Sequence, residues 1–192
     1  MKKFFCVASF VCLVVSVANS QNTHFGIKAG VNASSIKVSD GEDYDSKTGF
    51  HIGGLAHIHI ARHFAIQPEL VFSTQGGQDD GEDFKLKLNY INVPILAQYM
   101  FEGGFRLQTG PQFGFLTGAE IKEGDVEVDI DDQIQSFDFA WTVGGSYLSP
   151  RGFGVDVRYN LGISNISDND GFEAKNRVFQ VGLFYQFMHG RK

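Results

Sequence analysis

Beyond its first twenty residues the chain has no cysteine, because Cys6 and Cys12 both lie in an apolar N-terminal run. Once that run is removed, disulfides, thiolate metal ligands and a cysteine nucleophile are excluded. Bases are also in short supply: there are 16 Lys and Arg against 22 Asp and Glu. Loss of Lys2 and Lys3 with the leader lowers the formal net charge to about −8. A net charge of that sign speaks against nucleic acid as a partner. Long apolar runs are missing too. Mean hydropathy is −0.10, and no later stretch approaches the roughly 18 apolar residues of a spanning helix. If this chain enters a membrane, strands must carry it.

The N-terminus has the parts of an export signal. Met1-Lys2-Lys3 is basic, Phe4 to Val17 is apolar, and Ala18-Asn19-Ser20-Gln21 supplies small residues for cleavage after Ser20. A lipoprotein leader would need a cysteine directly after the apolar run, whereas Cys12 sits inside it behind Val11. The expected organisation is a cleaved signal peptide over 1–20 and one domain over 21–192.

What the remaining chain has in quantity is alternation. In Gly152 to Ile163, Phe153, Val155, Val157, Tyr159, Leu161 and Ile163 share one face, and Gly152, Gly154, Asp156, Arg158, Asn160 and Gly162 the other. A period of two over more than eight residues is a strand. An apolar face with aromatics near its ends, opposite a face mixing charge with glycine, fits a wall between lipid and a crowded interior.

Seven more segments repeat the pattern: His24 to Asn32, Gly49 to Ile60, Phe64 to Gln75, Phe84 to Phe101, Phe105 to Thr117, Ser136 to Leu148 and Arg177 to Phe187. In Phe84 to Phe101 the apolar phase shifts by one, from Phe84, Leu86 and Leu88 to Ile91, Val93 and Ile95. This predicts a β-bulge near Asn89 to Ile91.

Connections alternate between long acidic stretches (33–47, 76–83, 118–135, 164–176) and tight turns (61–63, 102–104, 149–151). An up-and-down outer-membrane barrel has this asymmetry, with both termini on the short-turn side. Sixteen of the 19 phenylalanines lie beyond the leader, most of them on apolar faces. The fold class is therefore all-β, an eight-stranded antiparallel up-and-down transmembrane β-barrel. A soluble lipocalin-like barrel with its apolar faces inward is the competing arrangement, since alternation alone does not say which face is outward.

The runs FGIKAGVN (25–32), GFHIGG (49–54), PELVFSTQGG (68–77), YINVPIL (90–96), GPQFGFL (110–116) and VDVRYNLG (155–162) resemble the PorT-like outer-membrane β-barrel family over essentially the whole exported chain. The resemblance implies an eight-stranded barrel in an outer membrane; the best-known member of that family is an accessory to a protein secretion system. Such barrels end on an aromatic that the insertion machinery reads; here Phe187 is followed by Met188-His189-Gly190-Arg191-Lys192.

Candidate chemistry is sparse. His51, His57 and His59 face one way, with His63 in the next turn, and His57 and His59 lie close enough to share a metal ion. A packed, hydrogen-bonded pair is the reading adopted, and no catalytic, cofactor or metal residue is assigned. Ser73, Ser136 and Ser146 lie on polar faces, but spacing does not bring any of them to a histidine as a hydrolase would require. The acidic runs Asp79 to Asp83, Asp125 to Asp132 and Asp168 to Gly171 are solvated loops rather than EF-hands: with Gly171 in the sixth place, Ile166 would take the first ligand position.

The polar faces carry Lys28, Glu69, Arg106, Gln112, Asp138, Asp156 and Arg158, three bases and three acids with an amide. These are expected to close the lumen as one luminal charge network, since a buried charge needs a partner. The function expected is a non-enzymatic envelope protein, probed against two alternatives: an outer-membrane enzyme or a small transport channel with a luminal site. The expected partners of a monomeric barrel are outer-membrane lipid and lipopolysaccharide, the barrel-insertion machinery, and an envelope or secretion complex or extracellular ligand. Its expected location is the cell outer membrane.

Overall fold

The structure is a computed structural model that describes residues 23–38, 44–78, 84–123, 126–130, 134–167 and 174–187. The expected leader, 1–20, lies outside the described residues. Among the described residues nine strands run β1 (Thr23–Val38), β2 (Tyr44–Ala61), β3 (Phe64–Gln78), β4 (Phe84–Met100), β5 (Phe105–Glu123), β6 (Val126–Asp129), β7 (Phe137–Leu148), β8 (Phe153–Gly162) and β9 (Ala174–Gln186). Eight of them form the wall, every neighbour antiparallel. β1 pairs with β2 and β9, and the β4–β5 pairing closes the ring. The short β6 folds back on the end of β5, Glu123 against Val126 and Glu120 against Asp129.

Facing follows the alternation. On the outer face Phe25, Ile27, Val31, Ile52, Leu70, Leu107, Val155 and Leu183 are exposed, Leu183 at 67 %. Lys28, Asn32, Glu69, Gln112, Asp156 and Arg158 are buried within. The apolar face is therefore outward and the lipocalin-like arrangement is excluded. Glycines make room for the interior: a Cβ on Gly154 would sit 2.2 Å from the Phe184 ring.

At the short-turn end an outer belt of aromatics runs through Phe64, Tyr99, Phe101, Phe105, Tyr147, Phe153, Tyr185 and Phe187, with ring contacts such as Tyr99 to Phe101 at 4.8 Å and Phe153 to Tyr185 at 4.7 Å. A second group, including Phe50, Phe72, Phe115, Phe137 and Phe179, lies toward the long-loop end. Two such girdles bracket the hydrocarbon of a membrane barrel. Phe187, the last described residue, donates its N–H to Phe25 O at 2.7 Å and packs on Tyr185. It thus belongs to the lower belt. At the short turns Gly103 and Gly104 take φ of 97° and 94°, values L side chains adopt only with strain.

The bulge is where the sequence places it along the wall, but in the other strand. Asn89 pairs with Gly118 and Tyr90 with Leu116, so the extra residue is Thr117 of β5. β4 alternates without interruption: Leu86, Leu88, Tyr90, Asn92, Leu96 and Gln98 are all buried within. What changes near Asn89 is the chemistry of the inside rather than the facing of the strand. Toward the long-loop end Leu86, Leu88 and Tyr90 join Ile36, Ala119, Ile130, Ile166 and Ala174 in an apolar cluster inside the wall. Lys87 and Glu120, paired at 3.5 Å, face outward beside it.

The strands also run further than expected. The stretch 118–135, expected as a loop, contains the end of β5 and all of β6, because Ile121, Val126 and Val128 continue the alternation. Of the acidic runs, 79–83, 124–125, 131–133 and 168–173 lie outside the described residues.

Site-directed fluorophores at 155 and 183 are expected to be quenched by brominated lipid, and those at 156 and 182 to be spared. Quenching of the even pair would reverse the facing.

Candidate functional site

Alternation aims the polar faces of all eight wall strands into a bore too narrow for bulk water, so any charge there needs a protein partner. Four of the residues that the sequence marks come together near mid-height. The Arg158 guanidinium on β8 crosses the bore to Glu69 on β3 and forms two parallel bonds, Nη1 to Oε2 and Nη2 to Oε1, each 2.7 Å. Lys28 on β1 donates to Glu69 Oε2 at 3.3 Å and to Asp156 Oδ2 at 3.2 Å. Arg158 Nε lies 2.7 Å from Asp156 Oδ2 without hydrogen-bond alignment, a close ionic contact. Two bases thus face two acids, with side-chain exposure of 4 % or less throughout. A forked guanidinium on a carboxylate is the strongest pairing available to such groups.

The other three residues stand apart. Arg106 lies near the short turns, opposite Met100 and Ser146, and donates to Gln186 Oε1 at 3.4 Å. Asp138 lies near the long-loop end and accepts from Ser164 Oγ at 2.8 Å. Gln112 is buried on the inner face of β5, and no described hydrogen bond joins it to the four. The expectation of one seven-membered network is corrected on this point. Alternation fixes which way a side chain faces, whereas its height depends on strand length and stagger.

Sequence reasoning missed an amide layer beside the charged cluster. Asn32 Nδ2 donates to Ser73 Oγ (2.9 Å) and Thr74 O (3.0 Å); Asn32 Oδ1 accepts from Gln180 Nε2 (3.0 Å) and meets His51 Nδ1 (2.7 Å). Gln75 joins Ser73, and Asn176 joins Gln75. Nothing but residence on a polar face marks Asn32, His51, Ser73, Gln75 and Gln180 in the sequence, and Asn176 falls in a stretch expected as a loop, which β9 takes in from Ala174. Gly30 and Gly182, opposite each other in β1 and β9, clear the space at this level. A Cβ on Gly182 would sit 2.8 Å from Asp156 Oδ1 and 2.9 Å from His51 Nε2.

Near the short turns His57 Nδ1 meets Gln67 Oε1 at 3.3 Å, and Gln67 Nε2 donates to Glu69 Oε1 at 2.7 Å. His57 and His59 do pack together, with ring centroids 4.6 Å apart. His63 stacks on Tyr99 in the turn. Ser73 is committed to Asn32 and Gln75, and among the described residues no three His, Cys, Asp or Glu side chains converge on one point.

A closed barrel with lipid-facing apolar strands, aromatic girdles and an ion-paired core defines an outer-membrane protein. The chain belongs to the outer membrane protein beta-barrel domain family, whose pattern it matches over residues 19–168. It is similar in fold to Neisserial surface protein A, with 14 % identity, a TM-score of 0.61 and coverage of 85 % of this chain and 97 % of that one. It is likewise similar to Ail, the attachment invasion locus protein of Yersinia pestis, with 15 % identity, a TM-score of 0.57 and coverage of 87 % and 100 %. No curated protein matches the sequence.

Replacing Arg158 with Ala is expected to destabilise the barrel by about 3 to 5 kcal/mol, because Glu69 and Asp156 would share Lys28 alone while remaining buried. Urea unfolding in lipid vesicles measures this. A variant that unfolds like the parent would show that the pairing contributes little.

Proposed function

We propose that this is a non-enzymatic, monomeric outer-membrane barrel, exported by the 1–20 leader, whose lumen is shut to ions and whose work is done at its ends. The observation that carries this reading is the occlusion of the bore at two levels: the Lys28, Glu69, Asp156 and Arg158 cluster at mid-height, and the apolar cluster around Leu88 and Tyr90 toward the long loops. An enzyme or a transport channel would need an open luminal site, and paired charges and packed apolar groups occupy those positions.

In the proposed orientation the short turns face the periplasm and the long acidic loops face outward, as in bacterial barrels generally. Ail has been solved in complex with a heparin analogue, sucrose octasulfate. The acid runs of the present chain, Asp79-Asp80-Gly81-Glu82-Asp83 above all, suit the opposite polarity. Complementary potentials steer association, so the proposed external partner presents a cationic surface or bridges through divalent ions to lipopolysaccharide. Kinship with PorT-like barrels, and with it an accessory place beside a secretion complex at the periplasmic rim, is the finer form of the same proposal. Phe187, held in the lower aromatic belt, is the proposed signal to the insertion machinery despite the five residues after it.

Planar bilayers loaded with the refolded protein are expected to stay at baseline current, and steady single-channel conductance would overturn the closed lumen. Protease added to intact cells is expected to cut within 79–83 or 124–133 and to spare 149–151. Cleavage confined to the short turns would reverse the orientation.

A further inference from the structure

We propose that the free edge of β6, at the long-loop end of the barrel, is a docking site for an extended peptide strand that alternates basic with apolar residues. This gives the cationic external partner inferred above its place of attachment, and so rests on that reading.

β6 is the end strand of the sheet: it pairs with β5, and among the described residues no strand lies beyond it. The pairing of β7 with β5 ends at Phe137 opposite Phe115, and β6 takes up the same side of β5 from Glu120 to Glu123, while β4 holds the other. The register says which backbone groups of β6 are engaged. Ile130 donates its N–H to Ala119 O at 3.0 Å, and these two residues continue the β5–β6 register. Antiparallel pairs alternate between bonded and non-bonded. Val126 and Val128 therefore turn their N–H and C=O toward β5, and Glu127 and Asp129 turn theirs to the open side. No described residue meets those groups.

Apolar packing stops at the same edge. Ile121 packs against the apolar cluster inside the wall and lies directly opposite Val128. Cross-strand partners share a face, so Val128 carries that apolar surface one strand further. There it ends, with Val128 51 % exposed. One more strand would bond the open groups of Glu127 and Asp129 and cover Val128 at once. In strand addition of this kind the main-chain bonds supply affinity and the alternate side chains supply specificity.

The alternate positions choose the occupant. Glu127 and Asp129 stand within a run, 123–132, that holds six acids and no base. Charge on an exposed edge keeps ordinary strands from adding to it, and like charges directly opposite each other destabilise a pair. A strand with Lys or Arg opposite both acids turns that barrier into attraction. The residue between its two bases falls opposite Val128 and must be apolar to cover it. The occupant that fits is therefore basic, apolar, basic in sequence and extended in conformation.

Position 127 allows the test, because proline is accepted on an edge strand where its missing N–H faces outward. Glu127→Pro deletes an open donor and leaves the β5 ladder whole, whereas Glu127→Gln removes only the charge. The probe is the end-blocked peptide Lys-Val-Lys-Val-Lys, titrated against the barrel purified into detergent, with the fold of each variant checked by heat-modifiable migration. The expected result is saturable binding of one peptide per barrel, a strand band in the infrared spectrum of the isotope-labelled peptide, and a loss of affinity of about tenfold in Glu127→Pro that exceeds the loss in Glu127→Gln. The same peptide N-methylated at its lysine amides, or rearranged with its lysines in one block, should bind about tenfold more weakly. No binding by the folded parent, or equal binding by the block isomer or by folded Glu127→Pro, would overturn the docking edge while leaving the outward orientation to the protease experiment. Binding to the purified barrel but not to intact cells would instead reverse the orientation and uphold the edge.

Discussion

Every backbone N–H and C=O that enters hydrocarbon must find its partner within the protein, and this requirement governs the molecule. A sheet meets it only by having no edge. The chain therefore closes on itself, the last strand onto the first, through an unbroken register from Gly26 with Gln186 to Val38 with Ala174. Once the ring is shut, each strand has one face for lipid and one for a bore. Within the hydrocarbon the outer face must be apolar, so charged residues at that depth have only the inside.

Glu69 shows what this imposes. Deep in the bore it accepts from Arg158, Lys28 and Gln67, leaving little of its acceptor capacity unused. Since it can only accept, it dictates the direction of the Gln67 amide beside it. Such a cluster is a poor source of net stability compared with apolar packing, but removing one member leaves charge that nothing else can compensate. It specifies the arrangement of the interior more than it strengthens it.

Most of the wall was legible in the sequence because lipid imposes a strict period of two. The strand count, the outward set, the short turns and the inward charges all follow from that period. Two things did not. Height along the bore is invisible to alternation, so Arg106 and Asp138 read as companions of Glu69 although they lie toward opposite ends. And the rule that apolar means outward fails above the membrane. In β4 the facing is constant while the chemistry inverts: Leu86 and Leu88 point inward as surely as Asn92 and Gln98 do. In β5 Phe113, Phe115, Ala119 and Ile121 keep to odd positions, and it is the facing that inverts, by way of the extra Thr117, with Leu116 turned inward beside Tyr90. Both strands read as a phase problem near the same level, and sequence alone does not distinguish a bulge from a change of solvent.

That inversion amounts to a waterline written into the chain. Below it the wall is dry outside and polar within; above it Lys87, Glu120, Lys122 and Arg177 face outward while Leu88, Tyr90 and Ile166 fill the interior, as in an ordinary water-soluble barrel. Sliding the wall toward its short-turn end would submerge those charged side chains, and sliding it toward its long-loop end would lift Phe115, Phe137 and Phe179 out of lipid. The protein's depth of immersion is thus fixed from within, with no anchor needed beyond the wall itself.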